Sequence, residues 1–111
     1  MQFVVDNGIY KVARVTGPQH NLLGIRLSDC DEEMKAFPLK FKSGEKVRVS
    51  EADVLSQVKS GLALANQVLS KKYFISEVYF LPSDTCVPGV YELLVGELIR
   101  RIDHGGHFLM A

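Results

Sequence analysis

The chain has 111 residues, which is enough for one domain, because domains usually contain about 100–200 residues. Its composition, 47% hydrophobic and 23% charged, is that of an ordinary globular protein. Thirteen basic and thirteen acidic side chains give no formal net charge, which excludes a protein that binds nucleic acid through overall basicity. We therefore expect a single α+β domain over residues 1–111, on the grounds given below.

Compartment is indicated by what the sequence lacks. There is no run of about 18 apolar residues and no basic stretch leading into a short apolar segment, so we expect neither a membrane span nor a secretory signal. Cys30 and Cys86 are the only cysteines, whereas small secreted domains held by disulfides are much richer in them. The sequence thus predicts two reduced thiols in a cytoplasmic protein that does not contact a membrane.

The first elements in chain order form a β-hairpin. Apolar runs at residues 3–6 and 9–15 flank Asn7-Gly8, and this dipeptide favours a type I′ turn because both residues accept positive φ. A two-residue loop places Asp6 opposite Ile9 and fixes the register of the remaining pairs. One face of this hairpin then carries the apolar residues Phe3, Val5, Tyr10 and Val12.

A third strand and a second hairpin follow. Leu23, Ile25 and Leu27 alternate inward, and further on Phe37, Leu39 and Phe41, then Val47 and Val49, alternate on either side of a loop at Gly44. Pro38 lacks an N–H, so we expect the first strand of this hairpin either to lie at an edge of the sheet or to begin after Pro38. Its outward face carries the basic residues Lys40, Lys42, Lys46 and Arg48.

These basic residues have a simple structural role. Lysines on an edge strand discourage association between sheets. Binding of single-stranded nucleic acid would need aromatic side chains on the same face, and the aromatic residues of this hairpin point the other way. We therefore expect no nucleic-acid partner.

Two helices and one strand complete the chain. Ser50 and Asp53 resemble a capping box, and the helix that follows has an apolar stripe in which Gly61 indicates close packing against a strand. Residues 74–81 predict an interior strand that ends at Pro82, and a second helix starts near Pro88 and ends near Ile102. The apolar stripe of the first helix is Val54, Leu55, Val58, Leu62, Ala65 and Leu69.

The order of these elements predicts the fold. Strands that precede a helix, a further strand and a second helix are typical of an α+β protein. We expect an antiparallel sheet of about five or six strands with both helices packed on one face, which makes two layers.

Catalytic patterns are absent from the sequence. We place His20 in a loop, and His104 and His107 in a C-terminal segment that we expect to be frayed; no nucleophile elbow, phosphate loop or set of metal ligands accompanies them. Cys86 precedes the second helix, where a thiol can become reactive, but a small residue filling a turn explains it equally simply. We predict a protein that is not an enzyme, with no catalytic residue, metal or cofactor.

One segment concentrates negative charge. Asp29, Asp31, Glu32 and Glu33 place four carboxylates within five positions. Such a segment can be a solvated turn without function, or a surface whose local field attracts a basic partner. A calcium loop is disfavoured, because it needs ligands that alternate over about twelve residues around a glycine. We take these four residues as the candidate partner-binding surface.

Residues 74–102, about a quarter of the chain, carry a resemblance to a known family. The strand ending in Tyr79-Phe80-Leu81-Pro82 leads into Ser83-Asp84-Thr85, and a helix with Val90-Tyr91 follows. This segment resembles small immunity proteins of bacterial polymorphic toxin systems, and such chains also occur in mobile gene cassettes. Ser83, Asp84, Thr85 and Tyr91 match the family pattern, whereas Cys86 stands where a less reactive residue is expected. The polar side chains suit a structural role, as partners for free N–H groups at a helix start or turn.

The resemblance implies a function that involves binding without catalysis. We expect a bacterial immunity-type protein that binds and neutralises a cognate toxin, as a monomer or a homodimer. The alternative is a regulatory module that binds a small molecule, which would have an apolar pocket of at least about 300 Å³. A third hypothesis is an enzyme that uses the Cys86 thiolate.

Overall fold

The computed structural model describes residues 1–40 and 44–111, which form one six-stranded sheet and two helices. The elements are β1 (Gln2–Asp6), β2 (Ile9–Thr16), β3 (Gln19–Ser28), β4 (Lys35–Pro38), α1 (Glu51–Leu69), β5 (Phe74–Phe80), α2 (Val90–Asp103) and β6 (Leu109–Met110). The strands lie in the order β4-β5-β3-β2-β1-β6, and the predicted α+β class is confirmed.

The hairpin of β1 and β2 forms in the predicted register. Asn7 (φ 51°) and Gly8 (φ 76°) both have positive φ, as a type I′ turn requires. Asp6 lies opposite Ile9, and the remaining pairs follow in step. The inward position Val12 is fully buried. Here the local turn alone determines how two strands pair.

The sheet is mixed, which corrects the prediction of an antiparallel sheet. β4 pairs in parallel with β5, and β6 pairs in parallel with β1, whereas the pairs β1–β2, β2–β3 and β3–β5 are antiparallel. Parallel neighbours need a long connection between them, and α1 supplies it between β4 and β5. Alternation along a sequence identifies the buried face of a strand, but it carries no information about the direction of the neighbouring strand.

The predicted second hairpin is wrong. Its first strand is present as β4, an edge strand as Pro38 indicates, but the described residues 44–50 contain no strand. Instead, the N–H groups of Arg48 and Val49 both donate to the carbonyl oxygen of Pro82, at 2.8 and 3.2 Å. These bonds hold the segment against the end of β5 and leave Val47 exposed. Phe41, Lys42 and Ser43 of the predicted hairpin lie outside the described residues.

The C-terminal segment is ordered against the sheet, so the expectation of a frayed tail is wrong. The ring of Phe108 makes edge-on contacts with Phe3 and Tyr10, with ring centroids 6.0 and 5.1 Å away. Arg101 lies over the Phe3 ring at 3.8 Å and donates to the carbonyl of His107 at 3.0 Å. Aromatic packing of this kind offsets the entropy cost of ordering a chain end.

Both helices cover the same face of the sheet. Inward residues of β2, β3 and β5 form one core with α1 and α2, and the predicted inward residues Leu23 and Ile25 are fully buried. A register shift after Arg26 places both Ile75 and Val78 of β5 on this face. Gly61 contacts α2 and not a strand: a Cβ there would lie 2.6 Å from the Glu92 carbonyl oxygen. The glycine therefore sets how closely the helices approach.

The helix ends follow local chemistry only in part. Ser50 caps α1 as predicted, and its Oγ accepts from the Asp53 N–H at 3.2 Å. The start of α2 is two residues later than predicted, with Gly89 (φ 71°) and not Pro88 at the boundary. Within the described ranges, neither helix is long and apolar enough to cross a membrane.

Candidate functional site

A groove of about 390 Å³ opens where β5 begins, between α1 and the segment that links β3 to β4. One wall is formed by Asp31, Glu32 and Glu33, and the apolar surface inside comes mainly from Met34, Leu62, Phe74 and Ile75. We call it the acidic groove. Its volume lies within the usual range of about 300–1,000 Å³ for small-ligand sites.

The acidic wall is exposed and locally anchored. The Oγ of Ser28, the last residue of β3, accepts from the Cys30 N–H at 3.3 Å and donates to the Cys30 carbonyl oxygen at 3.1 Å. The Cys30 thiol donates to a Glu32 carboxylate oxygen at 3.5 Å. Across the described parts of the chain, none of the four predicted carboxylates takes part in an ion pair. Their charge is therefore available to an external cation.

The opposite side of the groove is held by paired amide groups. The side chain of Asn66 on α1 donates to the Tyr73 carbonyl and accepts from the Tyr73 N–H, both at 3.0 Å. The Tyr73 hydroxyl donates to Asp103 at 2.8 Å, and this bond raises the pKa of Tyr73. Asn66 and Tyr73 both line the groove. This side of the site is thus preformed, which lowers the entropy cost of binding.

Such a surface suits a ligand with a cationic head and an apolar stem. The carboxylates would attract the charge, and the inner surface would cover the stem, as for an inserted lysine or arginine side chain. Lys59 is the only cation among the lining residues, so negative charge predominates.

The predicted partner-binding residues are brought together in part. Asp31, Glu32 and Glu33 line the groove, whereas Asp29 is exposed but is not among the lining residues. The residues of the inner surface were missed, because Leu62 fits the core stripe of α1 and Phe74 fits a buried strand. Asn66 and Tyr73, seven positions apart and bonded to each other, had no periodic signal to reveal them.

The residues of the family-like segment also meet, at the turn of residues 82–85, which we call the Asp84 turn. One carboxylate oxygen of Asp84, Oδ2, accepts from the Leu22 N–H and from the Tyr91 hydroxyl, both at 2.9 Å. Thr85 pairs with His20 through its N–H and its Oγ1, each at 3.1 Å. The side chains of Asp84 and Thr85 therefore accept from N–H groups of β3, whereas the sequence predicted partners at a helix start or a turn.

Burial sets the electrostatics of this turn. Asp84 is fully buried, and loss of solvation raises its pKa, although the bonds from Leu22 and Tyr91 oppose the shift. The same burial, with the neighbouring carboxylate, raises the pKa of Tyr91 far above its ordinary value. His20, expected in a loop, lies in β3 with its Nε2 4.0 Å from the free Oδ1 of Asp84.

Three buried polar atoms at this turn have no hydrogen-bond partner among the described residues: Asn21 Oδ1, Ser83 Oγ and Asp84 Oδ1. Cys86, which follows the turn, is a free and exposed thiol, as is Cys30.

Comparison with protein-family models, with curated proteins and with solved structures finds no match to this chain.

Proposed function

We propose that the chain is a non-catalytic, immunity-type protein of the bacterial cytoplasm that binds a cognate toxin and neutralises it. The observation that carries the proposal is the acidic groove, where three exposed carboxylates border an apolar surface and form no ion pair with any residue that the structure describes. Complementary charge speeds the encounter of two proteins, and a buried apolar anchor slows their separation. The resemblance of residues 74–102 to immunity proteins agrees with this role.

The structure suggests which part of a toxin would be recognised. A toxin surface that presents a lysine or arginine could place the cation against Asp31, Glu32 and Glu33 and its aliphatic stem against Leu62 and Phe74. The segment of residues 82–85, which packs on β3, would support the fold without contacting the toxin. The protein could act as a monomer or as a homodimer.

The proposal is tested with any toxin domain that is found encoded next to the gene for this chain, or within a mobile gene cassette that carries it. Co-expression should rescue growth, and the purified pair should bind with an association rate that falls steeply as salt rises. Replacing Asp31, Glu32 and Glu33 together by lysine should lower that rate by roughly tenfold to a thousandfold at low salt.

The control for location is Glu45→Lys, which reverses one charge where the triple variant reverses three, at an exposed carboxylate beyond the other end of β5. β5 spans about 20 Å at about 3.3 Å per residue, and this exceeds the Debye length of about 8 Å at physiological salt. The control should leave the rate nearly unchanged. If the triple variant and Glu45→Lys have equal rates, the groove is not the contact surface; failure of the wild type to bind or rescue would reject the function.

The volume and preformed side of the groove also favour the second candidate, a regulatory module that binds a small molecule. In that case a cationic metabolite should raise the melting temperature with no toxin present, because a ligand stabilises only the state that it binds. A thermal-shift screen on the wild type and the triple lysine variant distinguishes the two candidates. The small-molecule module would be favoured if a metabolite raised the melting temperature of the wild type but not that of the triple variant, and if the wild type bound no toxin domain.

A further inference from the structure

A second cavity lies at the opposite end of β5. It has a volume of about 500 Å³ and is bordered by His20 of β3, by the segment before α1 and by Ser83 of the Asp84 turn. Of the described residues that line it, Lys46 and Arg48 are cations, His20 supplies an imidazole, and Glu45 is the one acid. We call it the basic recess.

The cations of the recess are available to a ligand. Neither Lys46 nor Arg48 forms an ion pair with any residue in the described ranges, and both side chains are exposed. Their backbone is nevertheless fixed, because the Arg48 N–H donates to the Pro82 carbonyl at 2.8 Å. The segment therefore presents two cationic side chains from an anchored position beside the turn.

A buried hydroxyl supplies an independent indication of a ligand. Ser83 is 5% exposed and lines the recess, yet its Oγ has no hydrogen-bond partner within the described parts of the chain. Buried polar groups are nearly always hydrogen-bonded, because leaving one unpaired is costly. A group held in the recess could accept the Ser83 O–H.

The one buried carboxylate nearby does not oppose an anion strongly. Asp84 is wholly covered, its Oδ2 accepts from Leu22 and Tyr91, and its Oδ1 faces the His20 imidazole at 4.0 Å. Glu45 is exposed, as Lys46 and Arg48 are, so it offsets one of these two cations and the lining keeps a net positive charge. The lining therefore offers two permanent cations, an imidazole and a hydroxyl donor.

We propose that the basic recess binds the phosphate group of a phosphorylated small molecule. A phosphate monoester carries a charge of about −1.5 to −2 near neutral pH and three acceptor oxygens. Arginine matches two of these oxygens with parallel N–H donors, and lysine adds a point charge. The cavity is large enough for the remainder of a ligand such as a nucleoside monophosphate.

The test is titration of the purified chain with inorganic phosphate and with adenosine monophosphate, followed by calorimetry and by amide NMR shifts. Chloride at the same ionic strength is the reference for a non-specific salt effect. We expect saturable binding with a dissociation constant of about 1 mM or tighter, with amide shifts confined to His20, Ser83 and residues 44–48. Binding by adenosine monophosphate but not inorganic phosphate would still support the site.

Three variants make the test specific. Lys46→Gln with Arg48→Gln keeps the anchoring N–H groups and should weaken binding by roughly tenfold or more. Ser83→Ala removes only a hydroxyl without a partner, so the melting temperature should hold while affinity falls severalfold. Lys59→Gln, a cation of the acidic groove, is the control and should leave affinity unchanged.

The proposal would be overturned if neither inorganic phosphate nor adenosine monophosphate saturated the chain by about 10 mM. It would also be overturned if chloride gave a response equal to that of the probes. Equal affinity of the Lys46→Gln, Arg48→Gln double variant and the wild type would also overturn it. These outcomes do not bear on toxin binding at the acidic groove, which the structure places at the other end of β5.

Discussion

The two ends of β5 use carboxylates in opposite ways. At its start, Asp31, Glu32 and Glu33 are exposed and form no ion pair among the described residues. Apart from the Cys30 thiol that donates to Glu32, they contribute a field and not a bond within the fold. Beyond its end, the buried Asp84 joins β3 to α2 through Leu22 and Tyr91. The comparison teaches that burial, and not residue type, decides whether a carboxylate acts on the fold or on the surroundings.

The largest expected effect is at the buried carboxylate. Asp84→Ala leaves the Leu22 N–H and the Tyr91 hydroxyl without their acceptor, and each unpaired buried donor costs about 1–3 kcal/mol. We expect the free energy of unfolding in urea to fall by about 2–4 kcal/mol. Asp84→Asn retains an acceptor oxygen and should lose much less. If the alanine variant were as stable as the wild type, the proposed structural role of Asp84 would be wrong.

A smaller effect is expected from pH. Burial raises the pKa of Asp84 in the folded state above 3.8, so between 3.8 and the raised value the folded chain binds more protons than the unfolded chain. The stability that the protonated Asp84 contributes to the folded chain is therefore complete below pH 3.8 and is lost as the pH rises through the raised pKa of the folded state.

The measurement compares wild type and Asp84→Asn by urea unfolding from acid to neutral pH. The stability of the wild type relative to the variant should decline as pH rises. The lowered pKa of Glu77, caused by hydrogen bonds from Tyr79 and Arg26, acts in the opposite direction but is common to both proteins. If the difference in free energy of unfolding between the wild type and Asp84→Asn stayed constant with pH, Asp84 would have the same pKa in the folded and the unfolded chain, contrary to this prediction.

The smallest expected effect on stability is in the acidic wall. Replacing Asp31, Glu32 and Glu33 by serine should change the free energy of unfolding by less than about 0.5 kcal/mol, because these side chains are exposed and their one bond, from the Cys30 thiol to Glu32, is weak. Urea unfolding of this variant and of Asp84→Ala under the same conditions compares the free energies of unfolding that the carboxylates at the two ends of β5 contribute. A loss comparable to that of Asp84→Ala would contradict the distinction between them.

Local features of the fold could be predicted from the sequence. Asn7-Gly8 determines a hairpin because both residues tolerate positive φ, and Ser50 determines a helix start because its hydroxyl reaches the Asp53 N–H. Such interactions join residues only a few positions apart, so the pattern contains all their partners. The inward residues of β3 followed from simple alternation in the same way.

Interactions between distant segments could not be predicted. Leu22 and Asp84 are 62 positions apart, and no local pattern relates an N–H in a strand to that carboxylate. The parallel pairing of β4 also depends on the path of α1, and Val47 and Val49 alternate as a strand would although the segment bonds to Pro82. For the same reason the acidic wall was visible in the sequence, whereas the inner surface of the groove was not.

The placement of the two cavities also affects how this chain meets other molecules. Thirteen acidic and thirteen basic side chains cancel in number, but among the described residues acids border the cavity at one end of β5 and bases without ion pairs border the cavity at the other. These two surfaces form a local dipole along β5, and a charged partner that approaches them exerts a torque on the molecule during diffusion. Orientation can thus be selected before any atoms touch, even though the net charge gives no attraction.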